Sequence, residues 1–491
     1  MRIKRRLFLL HRVLGIAIGV MFVLWFLSGL VMMYVGFPEL TPVERFAGLT
    51  PIKVDDALMT PARAARSAGM TQPPTRARLT MVLGRPAYHF LSAEGRWSTV
   101  FADDGIGLES LTKDEALASA RQYSRGTSAS YLGRLHLDQW TLSGALEPFR
   151  PLHRVIIHDT HGTALYISDR TGEVLRDTTT AERAWNWLGA NLHWVYPVQL
   201  RQYREIWRQV IIWLGGTGTL LAITGVSAGL LRYRFGPAGT NKARVTPYRG
   251  VLKWHHLSGL VFGPIVITWV FSGWLSVNPG GLFPDDSPAT KDTAVMAGGE
   301  FDLSRFKIPL RRALQIAYRH LVPKEIELIQ FAGRPYYVFY ATNDESAILP
   351  GDQSELAAFT QFDVQALVAQ AAALMPKHAI EEAHSLSEYD LYYYGHHQRR
   401  RLPVVRVAFD NEAHSCYYID PHNGTIIQKL DSANRAYRWL FNALHSWDFP
   451  LLIEHRPAWD FVLIALCLGG VTVSATGTVV ACRRLGRDWM R

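Results

Sequence analysis

The sequence predicts an α-helical membrane protein with four spanning helices in two parallel repeats and two α+β domains outside the bilayer. Three observations predict it. Apolar residues are concentrated in four runs, although mean hydropathy over the 491 residues is close to zero. Basic residues cluster at the ends of those runs. The second half of the chain repeats the first.

The runs extend from Leu7 to Tyr34, Ile206 to Leu231, Val251 to Val277 and Trp459 to Ala481. Each meets the roughly 20 apolar residues that a spanning helix needs. The first follows Arg2, Lys4, Arg5 and Arg6, but it is longer than a signal-peptide core and no small-x-small cleavage pattern follows closely, so it reads as a retained helix. Residues 1–12, 232–253 and 483–491 together carry fifteen Lys/Arg and one acid, against a net charge of +10 for the chain. The remainder is therefore net acidic. The positive-inside rule places both termini and the middle loop in the cytoplasm. The expected order is helix 1–34, outer domain 35–205, helix 206–232, loop 233–250, helix 251–277, outer domain 278–458, helix 459–482 and tail 483–491. The basic balance is a topology signal and calls for a lipid bilayer, with no nucleic-acid partner.

The repeat registers without gaps over long stretches. His11 matches His255, Gly15 matches Gly259, Gly19 matches Gly263, Trp25 matches Trp269, and Ser28-Gly29 matches Ser272-Gly273. Gly84-Arg85-Pro86-Ala87-Tyr88 returns as Gly333-Arg334-Pro335-Tyr336-Tyr337. From there a constant offset pairs Asp138 with Asp390, Arg154 with Arg406, Tyr166 with Tyr418, Leu192-His193 with Leu444-His445, and Thr224-Gly225 with Thr476-Gly477. Both halves start and finish inside, so the repeat is parallel and its pseudo-two-fold axis runs along the membrane normal.

Within the first outer segment, a helical stretch lies near residues 53–70. Arg76 to Phe90 and Trp97 to Ala102 read as strands, with Asp103-Asp104-Gly105 as a turn. Arg154 to His158 and Ala164 to Ser168 read as a hairpin followed by the Thr171-Gly172 turn. Thr179 to Leu192 reads as one helix returning to the membrane. The three cysteines, Cys416, Cys467 and Cys482, suggest no disulfide framework.

Four of the eighteen histidines sit at membrane helix ends and have a partner in the other half: His11 with His255, and His193 with His445. Two readings of these residues stand. They are either tolerated interfacial polar groups or two pairs of imidazoles facing across the two-fold as axial ligands of two b-type haems. His256 is an alternative ligand beside His255. Gly15, Gly19, Gly259 and Gly263 share a helix face with these histidines. They suit either close helix packing or the approach of a flat macrocycle. His153, His158, His161, His396 and His397 read as surface residues, and Arg399-Arg400-Arg401 as a solvated face. Gly215-Gly216-Thr217-Gly218 lies inside a spanning run and cannot open a dinucleotide-binding helix, so no flavin or nicotinamide site is evident.

The His-Arg-x-x-Gly first helix, the GRPxY strand, Thr171-Gly172-Glu173 and Leu192-His193 resemble the PepSY-associated transmembrane proteins of bacterial inner membranes, over nearly the whole chain. The second copy departs from the pattern, with His256 for the arginine and Asn423-Gly424-Thr425 for Thr-Gly-Glu. The resemblance implies PepSY-like outer domains in the periplasm and a likeness to di-haem reductases that release iron from siderophores. The expected activity is oxidoreductase: electrons from an external donor, quinol or a cytoplasmic reductase, reach a ferric siderophore or ferric chelate outside, with His11, His255, His193 and His445 holding the haem iron. The alternatives are a non-catalytic peptidase-regulating or binding protein, and a siderophore uptake accessory or permease.

Overall fold

In the computed structural model, which describes residues 2–53, 58–233, 245–352, 357–396 and 399–489, the four apolar runs are helices. They are Arg2–Met32, Arg204–Arg232, Gly250–Leu275 and Arg456–Trp489. All four are long and apolar enough to cross a membrane. The fourth helix runs past the apolar stretch into the segment expected as the tail, as far as Trp489. Arginine and leucine are good helix formers, and no proline follows the apolar run, so nothing stops the helix where hydropathy falls. Residues 234–244 of the expected loop, His397 and the last two residues lie outside the described residues.

The chain divides into two units. One, comprising residues 1–37, 182–284 and 433–491, holds the four long helices. Its core joins Phe22 and Phe26 to Leu221, Val266, Trp269 and Trp459. Short helices Ala190–His193 and Leu444–Ser446 precede the second and fourth long helices. The single helix expected over 179–192 is broken at Gly189, where a Cβ would come within 3.0 Å of Val31. At the equivalent position the second copy carries Phe441, and there the chain passes through a π-helical turn, Arg438–Ala443. Val195 and Trp447, equivalent residues after the two short helices, both adopt left-handed backbone, with φ of 53° and 56°.

The other unit comprises residues 38–181 and 285–432 and is all antiparallel sheet with covering helices. Strands β1 (Arg76–Val82), β2 (Arg85–Leu91), β3 (Trp97–Phe101) and β4 (Gly107–Leu108) come from the first copy. Strands β5 (Ala129–Leu135), β6 (Leu152–Ile157), β7 (Ala164–Ser168) and β8 (Val174–Thr178) follow. The second copy supplies β9 (Glu325–Phe331), β10 (Arg334–Tyr340), β11 (Ser346–Pro350), β12 (Ile380–Leu386), β13 (Val404–Phe409), β14 (Cys416–Ile419) and β15 (Ile426–Leu430). Each copy has its own four-stranded sheet, β5-β6-β7-β8 and β12-β13-β14-β15. The remaining strands form one seven-stranded sheet in the order β11-β10-β9-β1-β2-β3-β4. The two outer segments, expected as separate domains, are therefore joined. β1 pairs with its own repeat equivalent, β9, with Ala77 opposite Leu328, Arg78 opposite Glu327 and Leu79 opposite Ile326. That register is self-complementary and places a local two-fold between Arg78 and Glu327.

The GRPxY motif is scaffold. Leu83 and Gly84 have φ of 52° and 76°, and Ala332 and Gly333 have 48° and 78°. Two consecutive left-handed residues make the tight hairpin turn that strand twist favours. The arginines pair with acids after the next strand, Arg85 with Asp103 and Arg334 with Asp352. The buried tyrosines donate to carbonyls beneath the sheet, Tyr88 to Met59 (3.1 Å) and Tyr337 to Ile308 (3.0 Å). The Thr171-Gly172-Glu173 and Asn423-Gly424-Thr425 turns share a left-handed glycine, with φ of 70° and 69°. The sequence reading passed over the helix Lys113–Tyr123, although Thr112 and Glu115 form a capping box at its start.

Candidate functional site

The helical unit brings both predicted histidine pairs together. The rings of His11 and His255 lie 6.3 Å apart between centres, nearly parallel at 20°. Those of His193 and His445 lie 6.0 Å apart at 71°. A metal–imidazole bond of about 2 Å, plus roughly 1 Å from nitrogen to ring centre, puts two imidazoles on one metal about 6 Å apart between centres. Both pairs stand at the spacing of two imidazoles that could share one metal.

The hydrogen bonds orient all four rings alike. Nδ1 of His11 donates to the Leu221 carbonyl (3.2 Å) and Nδ1 of His255 to Val473 (3.0 Å). Nδ1 of His193 donates to Trp25 (3.2 Å) and Nδ1 of His445 to Trp269 (3.2 Å). A carbonyl only accepts, so each Nδ1 carries the proton and each Nε2 presents a lone pair. No Nε2 of the four makes a hydrogen bond among the described residues. A backbone carbonyl on the far nitrogen is the usual device that fixes tautomer and ring direction in a metal-ligating histidine. Ser28 and Ser272 each lie 3.1 Å from the outer Nδ1 atoms. The indoles of Trp25 and Trp269 donate back to the carbonyls of His193 (3.1 Å) and His445 (2.8 Å), locking the short helices onto the first and third spanning helices. Burial holds the His193 imidazole down at a pKa of about 4, with His445 adding to the effect. Burial likewise lowers His445 to about 4, against the Trp269 carbonyl, which favours its charged form. Both are neutral at physiological pH.

The sequence reading did not assign the glycines that touch these rings. A Cβ at Gly225 would meet His11 Cε1 at 2.8 Å, and one at Gly477 would meet His255 Cε1 at 2.9 Å. At the outer pair, Gly29 would meet His193 at 3.6 Å and Gly273 would meet His445 at 3.0 Å. All four stand in the repeat register, which was the signal for them. The predicted Gly15, Gly19, Gly259 and Gly263 instead line a cavity of about 370 Å³ together with His11 and His255. That volume falls in the range of small-molecule and cofactor sites. Gly259 meets nothing within 4 Å, so its face is open, whereas Gly263 packs against Val226. His256 also lines the cavity, but both its nitrogens are engaged, Nδ1 with Thr246 Oγ1 (2.8 Å) and Nε2 with the Gly229 carbonyl (2.9 Å). It offers no free lone pair, and His255 is the residue that faces His11.

Elsewhere two expectations change. His153 is buried, not on the surface: Nε2 lies 2.7 Å from Asp169 and Nδ1 2.9 Å from the Tyr131 hydroxyl. Strand β6 is covered on that face, which alternation alone does not reveal. The arginine run is only in part a solvated face: Arg399 is exposed beside Asp344, while half-buried Arg400 and Arg401 bond Gln428 and Ser346. His158 and His161 are exposed, as expected. The sheet unit contains a buried charge cluster in which Glu173 pairs with Arg78 (2.5 Å) and Arg45 (3.5 Å), while Arg45 also pairs with Glu325. Burial would raise the Glu173 carboxyl, but Arg78, His89 and Arg45 outweigh it and hold it at about 2. Among the described residues, no group of three or more His, Cys, Asp or Glu is placed to hold a metal ion.

The chain matches no family model and no curated protein.

Proposed function

We propose that the chain is an inner-membrane electron-transfer protein that holds two b-type haems and reduces ferric iron, in a chelate such as a siderophore complex, on the periplasmic side.

 The reading rests on one observation: four histidines, paired across a two-fold at metal-sharing distance, each donate Nδ1–H to a backbone carbonyl and leave Nε2 free. The resemblance to PepSY-associated proteins supports it, and so does the positive-inside pattern, which sets both termini in the cytoplasm.

The residues present fit the group. His11 and His255 would hold one haem, with Gly15, Gly19 and Gly259 leaving the cavity wall flat. His193 and His445 would hold the other. Ser28, which faces the outer pair, lies about 25 Å along the first helix from His11 at 1.5 Å per residue. The two sites thus serve opposite ends of the unit. When bound between these histidine pairs, each haem would supply a one-electron carrier. The chain's own part is to hold four imidazoles oriented, each with its proton on Nδ1 and bonded to a backbone carbonyl. The substrate is ferric iron in a chelate, which takes one electron to become ferrous and is then held less tightly. The electron donor is quinol or a cytoplasmic reductase. A peptidase-regulating protein or a permease would give no role to imidazoles repeated at matching depths in both halves.

A reduced-minus-oxidised visible spectrum of the detergent-purified chain, with haem counted per chain, tests the reading. Two low-spin b-type haems, together with ferrous iron trapped by a ferrous-specific chelator after reduction, are expected. A colourless protein from haem-replete cells overturns it.

A further inference from the structure

We propose that Arg12 and Arg484 form a carboxylate-binding mouth on the inner cavity and fix one orientation for a dianionic macrocycle held by His11 and His255. The proposal rests on the haem reading above and concerns what the cavity recognises besides iron.

The cavity wall is largely apolar and glycine-rich, and among the described residues its lining includes Arg12 and Arg484 but no Asp or Glu. Both arginines are exposed, so they stand where the cavity meets solvent. Arg12 makes no hydrogen bond or ion pair with the described residues. An apolar slot with two guanidinium groups at its rim suits a flat ligand with acidic groups on one edge. A b-type haem has that shape, with both propionates on one edge of the ring. A quinol, which is neutral, does not need the arginines. Guanidinium binds carboxylate through paired charge-assisted hydrogen bonds.

The repeat sharpens the argument. The two imidazoles obey the two-fold, but the rim does not. The equivalent of Arg12 is His256, whose nitrogens are both committed to Thr246 and Gly229. The equivalent of Arg484 is Arg232, which stacks on the Phe8 ring at 4.7 Å and is absent from the cavity lining. Among the described residues, the rim cations therefore come from the first and fourth helices. A symmetric ligand set would accept the macrocycle either way round, and this asymmetric rim selects one.

The test is a visible titration of the full-length apo protein in detergent with iron protoporphyrin IX and with its dimethyl ester, following the binding step that H11A removes. The diacid is expected to bind about tenfold or more tightly than the ester. R12Q/R484Q should weaken the diacid by roughly tenfold to a hundredfold and leave the ester unchanged, while R232Q changes neither. Equal affinity of the wild type for diacid and ester overturns the proposal and leaves the haem reading standing. Equal weakening of both porphyrins by R12Q/R484Q, or the same effect from R232Q, also overturns it. Failure of the wild type to bind either porphyrin overturns both readings.

Discussion

The helical unit and the sheet unit carry the same internal repeat and treat it differently. In the helical unit the contacts that orient the histidines are duplicated: Leu221 and Val473 carbonyls, Trp25 and Trp269 indoles, Ser28 and Ser272, Gly225 and Gly477; the Phe441 ring stacked on His445, where the first copy has Gly189, is an exception. In the sheet unit the scaffold is duplicated and the buried polar chemistry is not. Both copies keep the GRPxY turn, and both keep a tyrosine hydroxyl donating to an aspartate at 2.7 Å, Tyr166 to Asp138 and Tyr418 to Asp390. But Glu173 becomes Thr425, and the His153–Asp169 pair becomes Val405 and Pro421. The difference has a physical cause. A site that takes one imidazole from each copy fails when either copy changes, whereas a pair such as His153–Asp169 lies within one copy and constrains that copy alone.

The comparison breaks first at the histidines. H11A and H255A should each lose the same single haem, and H193A and H445A the other, so that haem per chain falls from two to one in each variant, while H256A retains both. A spectrum in which H11A and H255A differ in the haem they lose would separate the pair. Next, G225A and G477A push a methyl group into the imidazoles at 2.8 and 2.9 Å. Each should weaken haem binding at the inner site to a similar degree, by about tenfold or more, because the ring must leave its metal-facing direction; porphyrin titration reads this.

The sheet unit should show the opposite pattern, with unequal effects at equivalent positions. E173Q removes the partner of Arg78 and Arg45 and should destabilise the unit by about 3 kcal/mol, seen as a lower thermal midpoint, while T425A costs about 1 kcal/mol or less. The same carboxylate sets a pH dependence. Its pKa is about 2 in the folded protein against an ordinary value of 4.5. Its contribution is therefore present above about pH 4.5 and is lost as pH falls towards 2. Thermal midpoints measured across that window should fall in the wild type and flatten in E173Q. The smallest effect belongs to S28A and S272A. The carbonyls of Trp25 and Trp269 still hold each Nδ1, so each loss is worth about 1 kcal/mol, or about fivefold in retention of the outer haem, and the two should match.

The spans and the paired histidines were legible because a repeat without gaps puts equivalent residues at equivalent depths, and a two-fold then brings equivalents face to face. The carbonyls that orient the rings were not legible, since every residue has one and only the helix crossing selects Leu221 or Val473. The two strand segments flanking GRPxY were legible from alternation and turn chemistry. Their merger into one sheet was not, because alternation assigns faces and not neighbours. Gly225 and Gly477 were visible in the register, but nothing in the sequence said which ring they meet. The burial of His153 depends on what covers β6, a non-local fact of the same kind.

The pairing of β1 with β9 has a consequence for how such a chain is assembled. A half-length polypeptide, ending before the third long helix, would leave the edge of β1 open with its N–H and C=O groups unmatched, a template for association. The backbone register across Arg78 and Glu327 is self-complementary, so two such halves could pair through β1, but Arg78 would then face Arg78 without the Glu325 and Glu327 that answer the arginines within one chain. The covalent link between the copies therefore replaces an encounter between two chains with a local one. Freed of the need to be identical, the two copies can carry different residues at Glu173 and Thr425 while the sheet between them stays the same.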